Sequence, residues 1–257
     1  MSILDTIIET KRAEVAALYQ QQSLEEWREA ANAAPNGPSF AKAIATPLSL
    51  IAELKKASPS KGIIRDPYHP KEIAQEFETM GASALSVLTD QDYFKGSIEH
   101  LKAAKSVVSI PIIRKDFMID AAQIYEAKVI GASAILLIAA ALETETLAEL
   151  LNVAESVGLD SLVEVHNWEE AEAVMAIPNL KIIGVNNRNL KTFVTDLSIA
   201  KGCIRRIKLE RPDLIAVAES GYNNVDDLMG AKSAGAEAVL VGEGLATHPG
   251  FFWDFLV

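Results

Sequence analysis

Gly81-Ala82-Ser83-Ala84 recurs as Gly131-Ala132-Ser133-Ala134 and again as Gly235-Ala236-Glu237-Ala238. In each copy a helical pattern precedes the glycine and a short apolar run follows it. Glycine suits the left-handed residue that stops a helix, and the alanines permit a tight turn into a strand. The copies lie 50 and 104 residues apart, near two and four βα units of roughly 26 residues each. Working outward, eight apolar runs alternate with helical stretches: Leu48–Leu54, Ala84–Leu88, Ile110–Ile113, Ala134–Ala139, Ser161–Val165, Lys181–Val185, Leu214–Ala218 and Ala238–Val241. Their near-continuous hydrophobicity is that of parallel strands covered on both faces. Pro70–Met80, Ala121–Ile130, Thr144–Val157 and Asn224–Ala234 read as helices between them. Eight such units with no break in composition predict an α/β protein, a closed (β/α)8 TIM barrel forming one domain over residues 1–257. An open doubly wound sheet is the runner-up. It would carry a glycine-rich dinucleotide fingerprint after its first strand, and Glu53-Leu54-Lys55-Lys56-Ala57-Ser58-Pro59-Ser60-Lys61-Gly62 is not one.

Residues 1–45 read as a helical N-terminal extension. Ile3, Leu4, Ile7 and Ile8, continued by Val15 and Leu18, form the stripe of an amphipathic helix. Ser23 with Glu26 is a capping box for a second short helix through Ala30, and Ala33–Ser39 is a loop.

Of 257 residues, 49% are hydrophobic, which excludes a disordered chain, and the single Cys203 excludes a disulfide scaffold. No apolar run approaches the roughly 20 residues that cross a bilayer, and the charged N-terminus is not a signal peptide. A cytoplasmic location is expected, with no membrane partner, and with the chain ending at Val257 no fused second domain is expected. The net charge of −11 makes nucleic acid an unsuitable partner. An anionic small molecule would need a concentrated basic pocket. There is no Walker A sequence, paired cysteine or HExxH, so neither a metal nor a nucleotide cofactor is expected.

Function collects at the C-terminal ends of barrel strands. There lie Glu53 and Lys55; Thr89, Asp90 and Phe94; Lys115, Asp116 and Phe117; Glu164 and His166; Asn186, Asn187 and Arg188; Glu219, Ser220 and Gly221; and Gly242, Glu243 and Gly244. Only the fourth run ends without charge. Buried salt bridges closing the barrel top would use such groups; so would a mixed acid–base site with lysines as acids or anion partners and glutamates as bases. Ser220-Gly221 and Gly242-Glu243-Gly244 follow the seventh and eighth runs, where barrels commonly seat phosphate. The Ser58–Gly62 loop adds hydroxyls and a lysine. Cys203 reads as packed, His100 as a helix-surface residue, and His166 as structural rather than catalytic. His69 and His248 precede prolines as loop residues, and Trp27, Trp168 and Trp253 read as packing on helices.

These segments, taken in order, resemble the indole-3-glycerol phosphate synthases. The resemblance is carried by Ile51–Gly62, Ser86–Asp90 with Tyr93–Ser97, Arg114–Phe117, Leu162–His166, Gly184–Leu190, Ala218–Gly221 and Val241–Glu243, and it extends to the N-terminal extension. Val194-Thr195-Asp196, Gly244 and Ala246 depart from the family pattern and bear on substrate fit. The resemblance implies decarboxylative ring closure and dehydration of 1-(2-carboxyphenylamino)-1-deoxyribulose 5-phosphate, without cofactor or metal. It implies Lys115 as general acid, Glu164 as base, and Lys55 as carboxylate partner or dehydration acid. Glu53 is expected to hold Lys115 by an ion pair, and burial with a second lysine to lower the Lys115 pKa. Asn186 and Ser220 complete the implied catalytic set. Arg188 and Glu219 orient the substrate; Ser58, Gly221, Gly242 and Glu243 bind its phosphate; Phe94, Phe117 and Leu136 wall the aromatic ring. The expected partner is the phosphorylated substrate alone, with the chain a monomer or weakly associated with pathway enzymes. The rivals are a phosphoribosylanthranilate isomerase-like barrel and a non-catalytic barrel that binds a phosphorylated metabolite.

Overall fold

The computed structural model describes residues 2–189 and 192–247. Its eight long strands are β1 (Ser49–Leu54), β2 (Ala84–Leu88), β3 (Ile112–Lys115), β4 (Ala134–Ile138), β5 (Asp160–Val165), β6 (Ile182–Asn186), β7 (Ile215–Glu219) and β8 (Ala238–Val241). Each pairs in parallel with the next, and β8 pairs with β1, so the sheet closes into a barrel with no edge. Helices connect the strands, and the three repeat glycines sit at φ +92°, +91° and +98°, the left-handed conformation that ends a helix.

Three strands continue past the C-terminal limits expected from hydrophobicity. β3, β6 and β7 run on through Lys115, Asn186 and Glu219. These polar residues stay in the hydrogen-bonded ladder because their side chains face the barrel interior rather than water. Strand parity explains the facing. Ile51, Ile113, Leu162, Ile182 and Val217 belong to the cluster that fills the barrel. Counting two or four residues along each strand from them reaches Glu53, Lys115, Glu164, Asn186 and Glu219, so the same face carries these at the C-terminal end. The other parity packs against the helices.

Three helices precede the barrel: α1 (Ile3–Gln21), α2 (Leu24–Ala33) and α3 (Phe40–Ile44). The Ser23–Glu26 capping box is present. α2 extends through Ala33, and α3 was not expected from sequence. Its Phe40 and Ile44 are fully buried and join the interior cluster with Ala84, Ala134 and Ala238, the first residues of their strands, filling the N-terminal end of the barrel. α1 lies over the loops after β2 and β3. Lys11 is wholly buried, its Nζ 2.8 Å from Asp90 and 2.9 Å from Asp116. Burial presses the Lys11 ammonium down, but these two carboxylates outweigh it and hold the group above its ordinary value. Thr10 meets Tyr93 at 3.0 Å, and Tyr19 donates to Asp120 at 3.0 Å.

Cys203 is buried in its helix, and Trp27 is buried with its indole N–H donating to Leu18 O. Trp168 opens a helix and takes the Arg206 guanidinium 3.7 Å above its ring. His69 is the N-cap before Pro70. His100 is not a free surface residue: it is half-buried, its ring tilted at 60° against Tyr68 with centroids 4.9 Å apart. His248 and Trp253 lie outside the described residues. Among the described residues no helix is long and apolar enough to cross a membrane.

Candidate active site

A cavity of about 570 Å³ opens at the C-terminal end of the barrel, and every residue singled out above as catalytic or substrate-binding lines it. At its floor the charges pair by neighbouring reach. Lys55 pairs with Glu53, which also accepts from Ser86 Oγ at 3.4 Å. Lys115 Nζ donates to Glu164 Oε2 at 3.0 Å and lies 3.9 Å from Glu219. The expected Glu53–Lys115 ion pair is therefore corrected: the partner of Lys115 is Glu164, two strands away on β5, while Glu53 is claimed by its sequence neighbour Lys55. Two glycines make room for these carboxylates. A Cβ on Gly184 would stand 2.0 Å from Glu219 Oε1, and one on Gly242 would stand 2.5 Å from Glu53 Oε1. Gly184→Ala must displace the Glu219 head, which can swing, so the fold survives. A misplacement near 1 Å predicts a loss of about 100-fold in kcat/KM, checked by steady-state kinetics beside a thermal melt.

The electrostatics also reverse an expectation. Burial does push Lys115 down, but the fields of Glu164, Glu219 and Glu53 outweigh it and hold its ammonium above the ordinary lysine value. Lys55 brings its own counter-charge in Glu53, so a second lysine does not lower the first. Glu164 is buried, which raises a carboxyl, yet Lys115 and His166 hold it below the usual range. Glu219 goes the other way: burial and the Glu164 charge push its carboxyl well above the usual range. Neither Glu219 oxygen has a hydrogen-bond partner among the described residues. The proton affinities of two adjacent carboxyls are thus driven apart, Glu164 down and Glu219 up.

Aromatic and anion-binding features occupy the walls. Phe94 and Phe117 stand on neighbouring loops with ring centroids 6.1 Å apart, and Leu136 lies on the inward face of β4. Across the cavity, Ser220 is held at φ +65° and Gly221 at +91°. A non-glycine residue in that conformation at a site marks strain kept for position. Its support is Asn187, buried, whose Nδ2 donates to the Glu219 and Ser220 carbonyls and to Tyr222 Oη. Arg188 lies 3.2 Å from Glu243, and Lys61 lies 3.0 Å from the same carboxylate. Ser58 ends the first strand of a short hairpin, Ala57–Ser58 paired with Gly62–Ile63, whose tip carries Ser60 and Lys61 to the mouth.

The sequence reading missed Phe193 and Tyr222 in the lining; they sit in loops, where no periodicity marks a facing. Thr195, marked by its departure from the family pattern, also lines it. It also gave Asn187 no role, because a buried amide bridging backbone carbonyls has no local signature.

The chain is similar to known proteins over nearly its whole length. A family model described as "Indole-3-glycerol phosphate synthase" matches residues 4–251. The indole-3-glycerol phosphate synthase of Chloroherpeton thalassium is 45% identical over 252 residues, covering 96% of this chain and 95% of its own. That of Halalkalibacterium halodurans is 45% identical over 243 residues, covering 95% and 91%. That of Acaryochloris marina is 43% identical over 255 residues, covering 97% and 84%. A closed barrel with this ring of lysines and glutamates, and a family match from residue 4 to 251, lead to one conclusion: the chain belongs to the indole-3-glycerol phosphate synthase family.

Proposed function

We propose that the cavity closes the indole ring by passing protons among Lys115, Glu164 and Lys55. The chain acts as a carboxy-lyase in tryptophan biosynthesis, converting 1-(2-carboxyphenylamino)-1-deoxyribulose 5-phosphate to indole-3-glycerol phosphate, CO2 and water. The observation that carries the assignment of roles is the Lys115–Glu164 pair at 3.0 Å, with Glu53 and Lys55 beside it on the same rim.

The ring carbon bearing the carboxylate attacks the sugar ketone. Lys115, held charged by its three glutamates, gives the ketone oxygen a proton as it becomes a hydroxyl. Loss of CO2 then restores aromaticity. With Lys115 discharged, Glu164 has lost the cation that made it a weak base, so its affinity for a proton rises when dehydration needs one. Lys55 binds the substrate carboxylate first and then protonates the leaving hydroxyl; Glu53 holds it in place. Asn186, Arg188 and Glu219 orient the sugar. Ser58, Ser220, Gly221, Gly242 and the Glu243 backbone take the phosphate, while Phe94, Phe117 and Leu136 enclose the ring. The Glu243 carboxylate is already engaged with Lys61 and Arg188, which supports its backbone N–H as the phosphate contact. The steps use only side-chain acids, bases and charges. The protein works in the cytoplasm, alone or loosely associated with enzymes of its pathway.

The test is direct. Purified protein given the carboxyphenylamino substrate is expected to produce indole fluorescence and one CO2 per product. Binding without turnover would instead favour a silent phosphometabolite barrel. Turnover of the phosphoribosylanthranilate precursor by Amadori rearrangement, with no indole formed, would favour the isomerase reading.

A further inference from the structure

His166 stands between two carboxylates that belong to different elements. Its Nε2 lies 3.2 Å from Glu164 Oε1 on β5, and its Nδ1 lies 3.2 Å from Glu170 Oε2 on the following helix, Trp168–Met175. Glu170 is fixed in turn: Oε2 also accepts from the His166 backbone N–H at 2.8 Å, and Oε1 accepts from Asn167 Nδ2 at 2.8 Å. The ring is nine-tenths buried, its side chain 10% exposed. Its Nε2 has no well-aligned hydrogen-bond partner, so Glu164 meets it chiefly as a charge. Glu164 therefore has a cation on each oxygen, Lys115 on Oε2 and the imidazole on Oε1.

Glu53 pairs with Lys55 and Glu164 with Lys115, and Glu170 has His166 as its partner. Burial lowers the ring's proton affinity, but Glu164 and Glu170 outweigh it and raise the pKa from 6.5 to about 10. The groups acting on the ring are Glu164 from β5 and Glu170 from the helix; Lys115 from β3 and Glu219 from β7 act through Glu164.

We infer that His166 is the positioning residue of the base: it fixes Glu164 Oε1 and keeps that carboxylate ionised through the interval in which Lys115 has given up its proton. This rests on the proposed roles of Lys115 and Glu164. It assigns a part in the reaction to a side chain that the sequence pattern marked as structural. The two cations differ in timing. Lys115 discharges during the cycle, whereas His166, backed by Glu170, keeps its charge. Without it, Glu164 would face the neutral amine beside the buried Glu219 with nothing holding its Oε1. It would also collect a proton from solvent before the substrate supplied one.

The experiment compares pH profiles of kcat for wild type, His166→Gln and Glu170→Gln, each with a thermal melt. His166→Gln is expected to lower kcat at neutral pH by about 10- to 100-fold with KM within a few-fold of wild type. Its acid limb should move up by about one pH unit or more, because Glu164 has lost a standing cation. Glu170→Gln leaves the ring in place but removes its support, so the limb should shift the same way by less. Were His166→Gln too unstable to assay, the Glu170→Gln shift alone would decide. Profiles that superimpose on wild type in both folded variants overturn the inference, as does a change confined to Tm. Failure of the wild type itself to form the indole product would remove the underlying functional reading, and is distinguishable from either result.

Discussion

Lys115→Met is expected to lower kcat by about three orders of magnitude, within the range that a positioned general acid contributes. The substitution keeps much of the side chain's length and removes its proton. Two effects combine. The ketone oxygen loses its donor, and Glu164 loses the nearer of its two cations, 3.0 Å away. Glu164 is then buried beside Glu219 with only His166 to hold its charge, so part of the base is consumed by protonation. Because both the acid and the base suffer, kcat should fall far more than KM rises. Indole fluorescence under saturating substrate measures the first, and a substrate titration the second. Cooperative thermal unfolding of the variant is the necessary control, since breaking a buried ion pair also weakens the fold. A variant that folds and keeps more than a tenth of the wild-type kcat would remove Lys115 from the acid role.

Lys11→Met is expected to reduce stability by about 3–5 kcal/mol, the usual consequence of stripping one partner from a buried charge cluster. The ammonium holds Asp90 at 2.8 Å and Asp116 at 2.9 Å, all three side chains nearly or wholly inaccessible. Asp116 would keep Thr89 Oγ1 at 2.5 Å and Arg114 at 3.4 Å. Asp90 would keep only the backbone N–H groups of Tyr93 and Phe94 on its other oxygen. The damage should therefore concentrate on the loop after β2. Urea unfolding gives the magnitude, and the double variant Lys11→Met with Asp90→Asn should recover part of it, since the stranded charge is then gone. A single variant within 1 kcal/mol of wild type would mean that the Lys11 cluster does not hold α1, leaving its apolar stripe and the Thr10–Tyr93 and Tyr19–Asp120 contacts.

The strands were legible because parallel strands covered on both faces are apolar almost throughout, and that is a property of short windows. The C-terminal limits of β3, β6 and β7 erred for one reason. A polar residue reads as the end of an apolar run, yet Lys115, Asn186 and Glu219 remain in their strands and turn inward. The gathering of chemistry at one rim was also legible, since strand order and parity place Glu53, Lys115, Glu164 and Glu219 at the same end.

Sequence alone determined the architecture, the rim on which the chemistry lies, and the residue types present there, because periodicities of two and 3.6 residues are local. Only the tertiary structure decided who pairs with whom. Lys115 reaches across to Glu164 and not to Glu53, Lys11, on the buried face of α1 with Ile7 and Leu18, meets Asp90 and Asp116, and His166 stands against Glu164. It also decided the sign of the Lys115 shift. Burial and Coulomb fields act through distances of a few ångströms between residues far apart in the chain, and their balance is set by the closed barrel.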